Sequence, residues 1–167
     1  CVQGRQELNK DSLEIAKPLH TLAKICGMQG NFRGEYEGLK EVVALVTKYK
    51  GVESLERAMA LSSLGQVCGN LQYIDLAQKN YAEAEKIGVK VLGADHLFVS
   101  DLKESAGHLE LDAEEGSGDY DRALSLFQEA LAIRMAHCQK NNLNPSEVSS
   151  VAYAHHNISC ALYNIKD

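Results

Sequence analysis

Apolar residues recur at three- and four-residue steps in seven stretches of this chain, and the stretches repeat in register. Ile15, Leu19, Leu22 and Cys26 mark one face of a first helix, and Leu39, Val42, Val43 and Leu45 mark a second that stops near Lys50-Gly51. Leu61, Leu64, Val67 and Cys68 predict a third helix, and Leu76, Ala77, Tyr81, Ala84 and Ile87 a fourth. Val99, Leu102, Ala106 and Leu109 then lead into Tyr120, Ala123, Leu124, Phe127, Ala130 and Ile133, and a last helix carries Val151, His155, Ile158 and Leu162. The pairs Leu22-Ala23, Leu64-Gly65 and Ala106-Gly107 stand 42 residues apart, and Cys26-Gly27 repeats as Cys68-Gly69 at the same offset. A fixed period of this size means one supersecondary unit copied along the chain. No alternation long enough to make a sheet interrupts it.

Punctuation supports the same division. Turns are predicted near Gly30, Gly51, residues 71–72, Gly93 and Gly116–Asp119. Asp11 is placed to cap the first helix with Glu14 as its reciprocal partner, and Asn144-Pro145-Ser146-Glu147 combines a cap, a first-turn proline and a reciprocal acid for the last. The residues in excess of the period fall in the Gly116–Asp119 turn and the 136–146 connector, as insertions in a repeat array should. The expected fold is all-α, an α-solenoid of antiparallel helix pairs, with units at about 12–53, 54–95 and 96–143 and a final unpaired helix at about 145–164.

Composition narrows the function. Lysine and arginine number 17 against 23 aspartates and glutamates, so a net charge of −6 offers no field that draws the molecule onto nucleic acid or an anionic membrane. No apolar run approaches the roughly 18 residues needed to span a bilayer. The five cysteines (Cys1, Cys26, Cys68, Cys138, Cys160) are odd in number, widely spaced and without a CxxC pair, which fits reduced thiols and a cytoplasmic setting. The opening residues fall in a connector by the repeat register, so the chain reads as a piece of a longer protein.

Inside the unit, Leu64-Gly65, Ala77, Tyr81 and Ala84, and again Gly118-Asp119-Tyr120, Ala123, Phe127 and Ala130, fall at the spacings of a tetratricopeptide (TPR) motif. Alanine or glycine lets two helix backbones approach, and the aromatic fills the space beside them. With Val91-Leu92-Gly93-Ala94-Asp95-His96 and Ala130-Leu131-Ala132-Ile133-Arg134, the chain resembles the TPR units of kinesin light chain over nearly its whole length. It departs at Glu35 and Val42, where small alanines are expected, and at Leu97, which replaces a proline. The resemblance implies a TPR superhelix of three units plus one extra helix, whose first helices line a concave groove. It also implies groove asparagines that hold a cargo backbone. Only Asn157 stands at such a place, with Thr21, Ser63 and Ser105 at the others.

The partner-binding candidates are therefore the exposed positions of the first helices. They are Lys17, His20, Lys24 and Met28, then Met59, Ser63, Gln66 and Asn70, then Asp101, Glu104, Ser105 and His108, and finally Tyr153, His156, Asn157 and Cys160. This face would be basic at one end and acidic further along, a polarity able to orient an extended segment. The acidic stretch Asp101 to Asp121 (Asp101, Glu104, Glu110, Asp112, Glu114, Glu115, Asp119, Asp121) reads as a charged outer turn, lacking calcium-loop spacing. His155, His156 and Cys160 lack the four ligands of a closed zinc site and read as core residues. Cys26 and Cys68 occupy buried repeat positions, and no glycine-rich phosphate loop is present, so no catalytic residue, metal or cofactor is expected. The function expected is a non-enzymatic protein-protein interaction module that takes a partner peptide or segment in its groove as an adaptor or scaffold. The alternative is a regulatory or oligomerisation domain of a larger signalling protein or enzyme, and self-association stays open.

Overall fold

A computed structural model of the chain describes residues 13–111 and 119–166. Seven α-helices occupy these residues: α1 (Ala16–Met28), α2 (Phe32–Lys50), α3 (Leu55–Asn70), α4 (Ile74–Leu92), α5 (Leu97–Leu111), α6 (Tyr120–Lys140) and α7 (Ser149–Lys166). Short 3-10 turns precede α1 at Leu13–Ile15 and α7 at Pro145–Glu147. The chain forms two compact units, Cys1–Ile87 and Gly88–Asp167, and the division falls within α4.

The helices stop where the punctuation predicts, and the turn backbone itself repeats. Gly30 and Gln72, one period apart, adopt φ of 78° and 60°, and Gly51 and Gly93, also one period apart, adopt 90° and 93°. At Gly51 and Gly93 such a φ is freely available to glycine and costly for a residue with a Cβ. Side-chain caps begin the following helices: Asn31 accepts from the Gly34 amide at 2.9 Å, Ser54 from Arg57 at 3.3 Å and Asp119 from Arg122 at 2.9 Å. The expected Asp11 cap and most of the Gly116–Asp119 turn lie outside the described residues. Asn144 does cap, but it caps the separate 3-10 turn rather than α7, which begins at Ser149.

In unit 1, α1 packs on α2 and α2 on α3, through a core of Ala16, Leu19, Val42, Val46 and Ala60. The contact of α3 with α4 turns on one glycine. A Cβ on Gly65 would lie 2.9 Å from the Tyr81 ring, so the ring covers the bare backbone. In unit 2, α5 packs on α6 and α6 on α7, and the arrangement recurs: a Cβ on Gly107 would lie 2.6 Å from the Phe127 ring. The first hairpin handles the same problem differently. Glu35, at the place of Ala77 and Ala123, is 4% exposed and reaches across Gly27 to Lys24 at 3.4 Å, while the fully buried Leu39 stands where the aromatic is found elsewhere.

Two expectations about faces are corrected. Leu76 is 45% exposed rather than buried. In α7 the buried line is Val151, Ala154, Asn157 and Ala161, whereas His155 and Leu162 face outward. Small Ala161 allows close contact with Ala123 and Phe127, and Asn157 is drawn inward by a polar partner, so hydrophobicity alone misplaces the stripe.

Ala130 is fully buried, and Ala130→Leu is expected to lower stability by roughly 1–3 kcal/mol in urea denaturation although both residues favour helix. An unchanged midpoint would mean that α6 does not pack closely there. Cys68 is likewise fully buried, and burial pushes its thiol pKa up despite a bond from Asn80. It should react with a thiol reagent far more slowly in the native protein than in denaturant.

Candidate functional site

The exposed face of the first helices is built separately in each unit. In unit 1, side chains of α1 and α3 meet on this face. Lys24 donates to Gln66, 42 residues on, at 2.8 Å, and His20 Nε2 stands 3.1 Å from Ser63 Oγ. Lys17, Met28, Met59, Gln66 and Asn70 are exposed around these pairs, with Met28 at 88%. Thr21 and Ser105 turn their hydroxyls back onto the carbonyls of Lys17 and Asp101, one helical turn earlier. The His20 pKa is held below its ordinary value first by burial and then by Lys24, with Glu35 pulling the other way. Lys24 also pairs with the buried Glu35, so its charge is partly committed to the fold.

Unit 2 departs from the expected acidic face. Glu104 is buried rather than exposed, because Arg134 of α6 grips it with two bonds of 2.7 Å. The guanidinium also donates to Asp101 at 3.0 Å and to the Ser150 carbonyl at 2.9 Å, so α6 is tied to both α5 and α7. Asn157, expected to be a free groove asparagine, is 2% exposed and donates to Glu104 at 2.9 Å. Burial works against the Arg134 charge, but the bonds to Glu104 and Asp101 outweigh it and raise the pKa. Sequence reasoning noticed Arg134 only within the Ala130–Arg134 motif. The signal available was one arginine at an inward position of α6, which demands an acid within reach.

The remaining members of the face stay accessible. Asp101, Tyr153 and His156 are exposed, and His108 and Cys160 are half-buried. His155 and His156 are exposed too, so the reading of them as core residues is corrected. Cys160 Sγ is 3.6 Å from His156 Nε2, and among the described residues no three histidine, cysteine or acidic side chains gather as metal ligands would. In the acidic stretch, Glu110 is buried beside Arg122 at 3.4 Å and Asp119 caps α6, whereas Asp112, Glu114 and Glu115 lie outside the described residues. No helix among the described residues is long and apolar enough to cross a membrane.

No protein-family model and no curated protein matches the chain. Solved structures do. BtubC (BKLC) from P. vanneervenii is 21% identical with a TM-score of 0.71, over 95% of this chain and 63% of that one. The nearly identical TPR-like repeats of a Podosopora anserina kinesin light chain are 19% identical in two crystal structures. Their TM-scores are 0.72 and 0.71, over 90% and 87% of this chain and 68% and 64% of theirs. The chain therefore has the TPR-like, kinesin-light-chain-like helical repeat fold, and it spans about two thirds of the length of these proteins.

Removing Arg134 strands a buried carboxylate. Arg134→Met should cost about 3–5 kcal/mol, and Glu104→Leu/Arg134→Met less than Arg134→Met alone. Equal denaturation midpoints for wild type and Arg134→Met would show that the cluster does not hold α5, α6 and α7 together. A second expectation concerns His20, whose depressed pKa favours the neutral ring in the folded state. Its share of stability is complete above the ordinary value of 6.5 and falls as pH drops through the folded value. NMR titration should give a midpoint below 6.5, rising in Lys24→Met.

Proposed function

We propose that this chain is a non-catalytic protein-interaction module that binds an extended partner segment on the exposed faces of its first helices. The supporting observation is the side-by-side placement of equivalent polar positions in unit 1, where Lys24 meets Gln66 and leaves Lys17, Gln66 and Asn70 outward among exposed methionines. Flexible methionines give adaptable apolar contact, and the outward lysines, with the exposed Glu56 beside Lys17 already paired to Lys50, favour a segment carrying acidic residues. Lys17, His20, Lys24, Ser63, Gln66 and Asn70 form this proposed surface in unit 1, and Asp101, His108 and His156 belong to its counterpart in unit 2. Glu104 and Asn157 act there as braces. Cytoplasmic residence fits the free thiols Cys26, Cys68, Cys138 and Cys160, three of them buried.

A second reading, assembly with a folded partner through the helix ends, is favoured by a cleft of about 490 Å³ in unit 2, where the Leu92–Leu97 turn faces Ala136, His137, Lys140 and Asn141. Selection from a displayed peptide library on the isolated chain separates the two. Groove binding predicts acidic segments whose association is slowed, and its salt dependence flattened, by Lys17→Glu, with folding stability little changed. Lys24→Glu is a poorer probe, since a second carboxylate would face buried Glu35. Failure to select any short segment, or selected segments indifferent to both Lys17→Glu and salt, would turn the assignment to the helix ends.

A further inference from the structure

Unit 2 carries a run of aromatic rings on its first-helix face. His108 meets the buried Phe127 edge-on at 5.2 Å, and Tyr153 lies 6.0 Å from His108, its hydroxyl 3.4 Å from His108 Nε2. His156 stacks on Tyr153 with centroids 6.5 Å apart and planes 29° from parallel. Phe127 anchors the run from inside the fold, while Tyr153 is 51% exposed and His156 is exposed. A carboxylate is joined through Arg134 to the helix that carries two of these rings. Arg134 bridges Asp101 Oδ1 to the carbonyl of Ser150, one helical turn before Tyr153, and the Asp101 side chain is 65% exposed. Glu104 and Asp101 together outweigh Arg134 by one negative charge when the histidines are neutral.

The geometry points to this platform as the seat of an arginine side chain of the partner segment, an inference that rests on the peptide-binding reading above. Arginine alone among side chains combines a planar face that stacks on rings with a permanent charge whose fork pairs with a carboxylate. A lysine would meet Asp101 only as a point charge, and an uncharged planar group would only stack. An acidic side chain would be repelled by Asp101, so the two units would prefer opposite charges.

The test follows the ring NMR signals of His108, Tyr153 and His156 in the whole chain, at a pH about two units above the ordinary histidine value of ~6.5. The probes are acetyl-Gly-Arg-Gly-amide and its lysine and citrulline counterparts. Saturable shifts at these rings are expected, with the arginine peptide binding about threefold or more tightly than either counterpart. Tyr153→Ala should abolish them while amide dispersion stays native. Asp101→Asn, which keeps an acceptor for Arg134, should erase the preference over citrulline. Lys17→Glu in unit 1 should leave them unchanged, so this inference and the acidic-segment reading fail separately. Absence of saturation, equal binding of the three peptides, or shifts that survive Tyr153→Ala would overturn the assignment.

Discussion

Close approach of two helices at a residue without a side chain is the constraint on which the rest of this structure depends. In α3 and α5 a glycine lies flat under an aromatic ring from the following helix, with room for nothing at its Cβ. Tyr81 is 7% exposed and Phe127 fully buried, so neither ring can move aside without opening a cavity. Once that contact is made, the rotation of α3 and α5 is fixed. Val67 and Cys68, or Leu102 and Leu109, are buried, and the opposite side chains face outward. The first hairpin keeps the constraint with other chemistry, setting the buried Glu35 over Gly27 and answering its charge with Lys24.

The surfaces so exposed differ between the units because their buried polar groups differ. In unit 1 the outward face carries lysines and neutral polar groups with Glu56 beside Lys17, and one of the lysines, Lys24, also neutralises a core acid. In unit 2 an internal arginine engages two of the three carboxylates of α5, and aromatic rings and the exposed edge of Asp101 make up what remains. The charge these faces present is thus set partly by what the core needs for its own neutrality. Glu104 buried without Arg134 would keep only the Asn157 amide as a partner, at a cost of about 3–5 kcal/mol, so Glu104 and Arg134 must be read together.

This coupling explains which parts were legible in the sequence. Turn positions, the burial of Ala77, Tyr81, Ala84, Ala123, Phe127 and Ala130, and the neighbourhood of Lys24 and Gln66 follow from a period that repeats local geometry. Glu104 and Asn157 were misplaced because helical register assigns a face, not a partner: Glu104 is held by Arg134, 30 residues on, and Asn157 by Glu104, 53 residues back. The stripe of α7 failed for a related reason. His155 and Leu162 are more apolar than Asn157 or comparable in size, yet two alanines and a satisfied amide pack better there. Nothing in hydropathy distinguishes a buried asparagine from an exposed one when its acceptor is distant.

The central claim, that glycine under an aromatic ring sets the hairpins of both units, is tested most directly by two double-mutant cycles in urea denaturation. One pairs Gly65→Ala with Tyr81→Leu, and the other pairs Gly107→Ala with Phe127→Leu. A Cβ that clashes with the ring should clash less with the smaller side chain, so each cycle should show a coupling of about 0.5–3 kcal/mol. Additivity within about 0.3–0.5 kcal/mol in both cycles would contradict the account.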